Sequence, residues 1–213
     1  MADNHNNIYK NSEGKIVPRV SSIVKMLGSR ELINWANRMG LAGINANEYA
    51  SARADIGTDF HNMAEAYMTG KEIVGTHYKE ALEMLDRFRT WVKCHNYKVF
   101  SVEQTLVGEF YGGTYDALGS IDGDTVLVDY KTSTKVYQSY FVQVAGYMRL
   151  VKELMPNTYK KIKGCAVLAL RAPKMHVLVD KKRMEKIYMP VFDEALRLYL
   201  AWERAKEEEY DLW

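Results

Sequence analysis

The sequence is short of cysteine and has no excess of charge of either sign, and each absence excludes a class of protein. Only Cys94 and Cys165 occur among 213 residues, far apart and outside any CxxC motif. Two such thiols are typical of a reducing compartment and cannot supply the full ligand set of an iron–sulfur cluster. Lysine and arginine number 29 against 27 acidic residues, so any nucleic-acid partner would have to meet a local basic patch.

Long apolar runs are absent as well. No stretch predicts a transmembrane helix, and the Asn-rich N-terminus "MADNHNNIYKNSEG" lacks the apolar core of a secretory signal. We therefore expect a cytoplasmic protein without a membrane partner. The 47% share of hydrophobic residues suits one globular domain. Residues 1–15 are expected to form a flexible tail, and residues 16–213 a single domain.

The hydrophobic pattern predicts a mainly helical part over residues 16–98. Ser21 or Ser22 is a candidate N-cap for a short helix that ends at Gly28. Helices are also predicted over "RELINWANRMG" and over the segment that ends at Gly70. A further helix within residues 77–95 would present one apolar face, made of Tyr78, Ala81, Leu82, Leu85, Phe88 and Val92.

A sheet is predicted over residues 99–180. The runs "KVFSVEQTLV", "GGTYDALGSI" and "DTVLVDYKTS" have strand character, a helix follows around Gln138 to Leu154, and "KGCAVLALR" and "KMHVLVD" are two more strands. Residues 181–213 form an amphipathic C-terminal helix, which Pro190 should kink or restart. The apolar side of this helix would contain Met184, Ile187, Val191, Ala195, Tyr199 and Trp202. This order predicts an α/β fold with a mixed central β-sheet flanked by helices.

Charged residues stand at the end of one of these apolar strands. Asp129 and Lys131 are two residues apart and point to the same face, and a hairpin can bring Asp116 beside Asp129. Two carboxylates held together repel each other unless a divalent cation lies between them, and oxygen ligands suit Mg²⁺ or Mn²⁺. The alternative is a same-face salt bridge between Asp129 and Lys131 with a solvated Asp116.

The hairpin "GTYDALGSIDGDTVLVDYKTS" followed by "QVAGY" resembles the active-site hairpin and helix of the PD-(D/E)XK nucleases. The resemblance is to the RecB-type branch, which includes phage exonucleases and the mitochondrial genome maintenance exonuclease. Upstream, "RADIGTDFHNMAEAYMTG" is similar to the Gly-Thr-x-x-His helix of that branch. The resemblance implies a restriction-endonuclease-like core with an N-terminal helical segment, in a bacterial or phage-infected cell. The lack of clustered cysteines implies a branch without an iron–sulfur cluster.

The resemblance also implies roles for individual residues. Asp116 and Asp129 would bind one or two Mg²⁺ or Mn²⁺ ions together with the backbone carbonyl of Tyr130. Lys131 would be the catalytic lysine. His61 would complete a second metal position or contact the scissile phosphate; the alternative is a packed or solvated histidine.

Four further residues are candidates of lower rank. Glu65 lies four residues after His61 and shares its helix face, so it could hold a water, or it could be an ordinary surface charge. Gln143 would buttress the site from the following helix, and Tyr147 shares its face but could simply belong to the core. Similar nucleases carry an acidic residue at the position of Glu103, although a solvated strand-face glutamate is the preferred interpretation.

Together these features predict a divalent-metal-dependent DNA nuclease, most simply an exonuclease acting on single strands or duplex ends. Lys135, Arg53 and Thr132 are the candidate DNA contacts, and a recombination or replication protein is a possible partner. Two alternatives stay open. One is a catalytically silent nucleic-acid-binding module of the same fold, which would not need Asp116, Asp129 and Lys131 together. The other is a restriction-type endonuclease.

Overall fold

The computed structural model describes residues 8–28 and 30–207. Its strands are β1 (Tyr9–Lys10), β2 (Ile16–Val17), β3 (Lys98–Val107), β4 (Gly112–Ile121), β5 (Asp124–Lys131), β6 (Gly164–Ala169) and β7 (His176–Asp180). Its helices are α1 (Val20–Val24), α2 (Arg30–Leu41), α3 (Ala46–Thr69), α4 (Lys79–Cys94), α5 (Gln138–Leu154), α6 (Pro156–Lys161), α7 (Lys181–Arg183) and α8 (Met189–Glu207). Among these described helices, none has the length and apolar character that a membrane span requires.

The central sheet is mixed, as the sequence predicted. Within the described chain it has five strands in the order β3-β4-β5-β6-β7. The β3–β4, β4–β5 and β6–β7 pairs are antiparallel, whereas β5 and β6 are parallel because the chain crosses over through α5 and α6. A parallel pair requires such a crossover. The α/β fold with a mixed sheet flanked by helices is therefore confirmed.

Both faces of the sheet are buried at its centre, where β5 alternates its side chains between two cores. Leu127 packs with residues of α1, α5 and α8. Val128 and Tyr130 face the opposite core, which includes Phe60 of α3 and Phe88 of α4. The helices α3 and α5 thus lie on opposite sides of β5, and the end of that strand lies between them.

The start of α1 differs from the prediction. Its N-cap is Arg19, which is extended and offers no side-chain cap. The backbone N–H groups of Ser22 and Ile23 already donate to the Arg19 carbonyl, so Ser21 and Ser22 are inside the helix, and the predicted serine cap was wrong. An isolated bridge between Arg19 and Gly112 holds the chain extended up to this point.

The apolar face predicted for α4 was also partly wrong. Leu82 is 42% exposed and Tyr78, which precedes the helix, is 51% exposed. The side chains that α4 buries are Ala81, Met84, Leu85, Phe88 and Trp91. The 3.6-residue period alone allows either set of side chains to form the buried face, and the position of the sheet beside the helix decides which set is buried.

The C-terminal helix begins anew near Pro190, as predicted, but its buried face is only partly the predicted one: Met184 and Ala195 are buried and Tyr199 packs against the core. A π-helical turn, Met184–Tyr188, precedes α8. Such a turn contains more residues than an α-helical turn, so it rotates every later side chain relative to a regular helix. Val191 and Trp202 of α8 are exposed, as is Ile187 within the turn, whereas Tyr188 of the turn and Met189 and Phe192 of α8 are buried.

Residues 8–17 form an ordered hairpin rather than a tail. Tyr9 pairs with Val17, and a 3.0 Å hydrogen bond joins its hydroxyl to Thr114 Oγ1. Its ring covers Gly112 so closely that a Cβ there would lie 2.7 Å from Tyr9 Cγ. The expected flexible tail therefore does not extend over residues 8–15, and residues 1–7 lie outside the described chain.

Candidate metal and active site

The β4–β5 hairpin places Asp116 beside the end of β5. The last registered pair of this ladder is Ala117 with Val128. Past that pair, Asp116 Oδ2 accepts the backbone N–H of Tyr130 at 2.5 Å. The Asp116 carboxylate thus accepts a hydrogen bond that a strand carbonyl would accept in a regular sheet. Its other oxygen, Oδ1, points to α3, where it lies beside His61.

Asp129 and Lys131 form a same-face ion pair, as the salt-bridge alternative expected, but Asp116 is not solvated as that alternative required, since its side chain is only 14% exposed. Asp129 is 2% exposed, and Lys131 Nζ lies 3.0 Å from its Oδ1 and 2.9 Å from its Oδ2. The contact to Oδ2 lacks hydrogen-bond geometry, so among the described residues this buried oxygen accepts no hydrogen bond. The ion pair therefore leaves one acceptor for a further cation.

The helix α5 holds Lys131 from the other side. Lys131 Nζ donates to Gln143 Oε1 at 3.2 Å, and Gln143 Nε2 donates to the Tyr147 hydroxyl at 2.8 Å. The Tyr140 ring lies 5.2 Å from the same ammonium, within cation–π range. Lys131 is thus fixed by two neighbouring side chains, Gln143 and Tyr140, in addition to Asp129 itself.

His61 of α3 and Glu103 of β3 complete a cluster with Asp116. His61 Nδ1 lies 3.5 Å from Asp116 Oδ1 and 3.8 Å from Glu103 Oε1. One potential ligand atom from each of the three residues lies within 4.8 Å of the others. The preferred interpretation of Glu103 as a solvated strand residue was wrong, because its side chain is only 22% exposed and faces His61.

Glu103 has an unusual backbone conformation. Its φ of 45° is in the left-handed region, which a residue other than glycine rarely adopts. Such a conformation costs on the order of 1–3 kcal/mol, and strain of this kind concentrates at functional sites. The registered pairs on either side are Val102 with Ala117 and Gln104 with Tyr115, so the strain is local to the residue that faces the cluster.

These side chains surround a cavity of about 360 Å³. Its walls are formed by Tyr9, Arg19, Val20, Ser21, Arg53, Ala54, Gly57, Thr58, His61, Asn62, Glu103, Gly113, Thr114, Asp116, Lys131, Thr132, Gln143 and Tyr147. The helix α3 comes close to the end of β5 at Gly57, where a Cβ would make ordinary contact with Thr132 at 3.5 Å from its Oγ1.

The electrostatics of the cluster favour a cation. Burial raises the pKa of Asp116 above its ordinary value, and burial raises the pKa of Asp129 to about 6, with Asp116 adding to the effect. Burial alone would lower the pKa of His61, but Asp116 and Glu103 outweigh it and the net shift is upward. Burial likewise opposes the charge of Lys131, yet Asp129 and Asp116 raise its pKa, so it stays an ammonium.

The donor set fits a divalent metal ion. Opposed ligands of one such ion lie about 4–4.6 Å apart, which the cluster of His61, Glu103 and Asp116 nearly matches. Carboxylate oxygens suit hard cations such as Mg²⁺ and Mn²⁺, and imidazole extends the range to other transition metals. Asp129 belongs neither to this group of three residues nor to the cavity walls, although its Oδ2 has no hydrogen-bond partner among the described residues.

The structure separates the remaining candidates. Arg53 and Thr132 line the cavity with Gln143 and Tyr147. Glu65 does not line it, because its carboxylate pairs with Lys71 at 2.8 Å. Lys135 is exposed and is not part of the walls.

Tyr130 turns its side chain away from the cavity. Its hydroxyl bonds to that of Tyr97 at 3.0 Å in the opposite core, so only its backbone is on the side of the site. The hairpin residue Tyr9 and the helix residues Ser21 and Asn62 line the cavity without having been predicted. No pattern in the sequence distinguishes them from ordinary polar or aromatic positions.

No family model matches the chain, and no curated protein matches it. Among solved structures, one that it resembles is a protein from Eubacterium rectale that is provisionally named an exonuclease. The two share 14% sequence identity with a TM-score of 0.46, over 92% of this chain and 87% of the other. Similarity at this level does not establish a shared function.

Proposed function

We propose that the protein is a divalent-metal-dependent DNA nuclease of the RecB-type PD-(D/E)XK class, and most specifically an exonuclease. The observation that supports this proposal is the convergence on one cavity of a strand-end lysine with His61, Glu103 and Asp116. A structural ion pair needs Asp129 and Lys131 alone. It does not need a strained glutamate and a histidine directed at a second aspartate.

Asp116, Glu103 and His61 would hold the ion, with Asp129 Oδ2 and the backbone carbonyl of Tyr130 as further oxygens. We propose Mg²⁺ or Mn²⁺, as one or two ions. A bound ion of this kind supplies an activated water and neutralises charge on a phosphodiester.

Lys131 would act on the reacting phosphate itself. Its raised pKa keeps it charged, and Gln143 and Asp129 fix the direction of its N–H bonds. An oriented ammonium donor is suited to hold the attacking water or to stabilise charge that develops on a phosphoryl oxygen. Gln143 is in turn oriented by Tyr147, so these two cavity-lining residues position the lysine.

The shape of the cavity favours a strand end or a single strand. A volume of about 360 Å³ is at the small end of the range for small-molecule sites, too small for an intact duplex. The cavity is enclosed by Tyr9 of β1 and Ser21 of α1 as well as by Arg53 and His61 of α3. Arg53 and Thr132 would contact the DNA inside the cavity and Lys135 outside it. We further propose a role in replication, recombination or repair, with a protein partner from one of these processes.

A digestion panel tests this function. End-labelled linear and circular DNA, single- and double-stranded, is incubated with Mg²⁺, Mn²⁺ or EDTA. We expect degradation of linear substrates from their ends, survival of circles, and no reaction in EDTA. Cleavage of circles would indicate an endonuclease instead. DNA binding without cleavage in any metal would identify a silent binding module.

A further inference from the structure

The guanidinium of Arg53 has one nitrogen without an acceptor in the described chain. Arg53 lies in α3 and lines the cavity, and its Nη1 donates to Glu80 Oε2 at 2.5 Å. Its Nη2 is buried and has no hydrogen-bond partner among residues 8–28 and 30–207. A buried donor that lacks an acceptor is unfavourable, so this nitrogen indicates a place for an oxygen atom of a ligand.

The position of Arg53 on α3 relates it to the metal cluster. Arg53, Gly57 and His61 are spaced by four residues and share one helix face, which lines the cavity. Eight residues of helix separate the Cα atoms of Arg53 and His61 by about 12 Å along the axis. The guanidinium therefore serves a different part of a bound strand from the part that meets His61.

Glu80 determines which way the guanidinium faces. It lies in the first turn of α4 and bonds only the Nη1 edge of Arg53. The hydrogen bond from Arg53 lowers the pKa of Glu80 below its ordinary value, so the carboxylate stays charged. Arg171 Nη2, 3.8 Å from the same oxygen, supports it from another side. A planar guanidinium fixed along one edge keeps its other N–H groups in a defined direction.

We propose that Arg53, oriented by Glu80, binds a non-bridging oxygen of a phosphate that flanks the scissile one. This inference rests on the proposed nuclease function and deepens it, because it makes one backbone phosphate beyond the reacting group a requirement for binding. An anionic oxygen is the acceptor that a guanidinium matches best. Glu80 acts only through Arg53 and is a positioning residue.

A methylphosphonate scan tests the assignment. Each oligonucleotide of the series has one phosphate oxygen replaced by methyl, and its affinity is measured in Ca²⁺ for the wild type, Arg53→Gln and Glu80→Ala. We expect one flanking position at which the modification weakens wild-type binding by about 10-fold or more. Arg53→Gln should lose a similar factor on unmodified DNA and nothing further at that position. A variant that combines Arg53→Gln with Glu80→Ala should bind no worse than Arg53→Gln, because Glu80 acts only through Arg53.

Arg197→Gln is the matched control. Arg197 pairs with Glu194 at 2.8 Å on the exposed surface of α8, so its loss removes the same charge away from the cavity and should preserve the wild-type profile. If Arg53→Gln fails to fold, Arg53→Lys replaces it, since an ammonium lacks the fork that spans Glu80 and a phosphate. The methylphosphonate at the flanking position should likewise weaken DNA binding by Arg53→Lys less than it weakens binding by the wild type.

The outcomes separate this inference from the function on which it rests. One outcome is that the losses of affinity caused by Arg53→Gln and by the methylphosphonate add at every position, while the wild type binds and cleaves DNA. Arg53 then binds no particular phosphate, and only this inference fails. If the wild type does not bind DNA under any condition, both proposals fail together.

Discussion

Lys131 is the residue whose removal should separate cleavage from binding. In Lys131→Ala the carboxylates of Asp116 and Asp129 remain, and so do the DNA contacts proposed elsewhere in the cavity. Only the reacting phosphate loses a donor, and loss of one such donor slows a reaction by about 100- to 1000-fold. We expect near wild-type affinity for DNA in Ca²⁺ and cleavage at least about 100-fold slower in Mg²⁺, measured in single turnovers on the same substrate.

Removal of Lys131 also leaves Asp129 as a buried charge without its partner, which can destabilise the fold. Circular dichroism and the melting temperature, recorded with metal present, therefore accompany the kinetics. Lys131→Met is a second variant of similar length that separates loss of charge from loss of packing. Cleavage close to the wild-type rate in a folded variant would reduce Lys131 to the ion-pair partner of Asp129.

Glu103 and Glu65 make a matched pair, since both are site candidates of lower rank in the sequence and the structure places them differently. The structure directs Glu103 at His61 and pairs Glu65 with Lys71. We expect Glu103→Gln to weaken Mn²⁺ binding by at least about 10-fold and Glu65→Gln to leave it near wild type, measured by isothermal titration calorimetry. Equal effects of the two substitutions would remove Glu103 from the ligand set.

The contrast between these glutamates shows what the sequence could and could not predict. Strand alternation and the hairpin sufficed to place Asp116 beside the Asp129–Lys131 strand, because those relations are local. The role of Glu103 depends on a left-handed backbone at one residue of β3, which no periodicity encodes. Glu65 is on the expected helix, but its neighbour Lys71 comes from the loop after Gly70, and that contact depends on how the helix ends.

At the scale of elements, α5 packs more closely than its sequence suggests. Gly146 lies in the middle of this helix, where alanine would be favoured by about 1 kcal/mol in an exposed position. Here a Cβ would lie 2.5 Å from Phe192 Cε2 and 2.9 Å from Val20 Cγ1, so packing opposes propensity. We expect Gly146→Ala to destabilise the fold by about 1–3 kcal/mol in urea denaturation.

Gly40→Ala is the control for that measurement. Gly40 is also in a helix, α2, but a Cβ there would meet nothing within 4 Å. This variant should be neutral or slightly stabilising, as helix propensity alone requires. If both variants are stabilising, the space between α5 and Phe192 accommodates a methyl group at position 146.

Elements with a strong local period were the most predictable. The three strands of the β3–β5 meander and the helix Gln138–Leu154 were placed from alternation, turn residues and helical spacing. The hairpin over residues 8–17 was missed because each of its strands is only two residues long and its stability comes from Tyr9 packing on Gly112. The π-helical turn at Met184–Tyr188 was missed because helix periodicity assumes one constant pitch.

At the scale of the whole molecule, negative charge at the site is a property of the fold. The chain as a whole has a formal charge of +2, yet Glu103 of β3 and Asp116 of β4 cluster with His61, and Asp116 is close enough to raise the pKa of Asp129 in β5. In the unfolded chain Glu103, Asp116 and Asp129 are separated and solvated. A cation that binds this group therefore binds the folded state in preference to the unfolded one, and must stabilise it by mass action.

A bound cation should therefore raise the melting temperature of the protein. At a free Mn²⁺ concentration of 100 times the dissociation constant, the stabilisation is about 2.7 kcal/mol. For a chain of 213 residues this corresponds to a rise in melting temperature of roughly 5–10 °C, which EDTA should reverse. Scanning calorimetry of wild type, Asp116→Asn and Lys131→Ala gives the comparison. Asp116→Asn should lose the shift, whereas Lys131→Ala should keep it, because the lysine is not a ligand. If neither Mn²⁺ nor Mg²⁺ changes the melting temperature of the wild type, the cluster holds no ion. Lys131 and His61 would then suffice to balance the charge of these carboxylates.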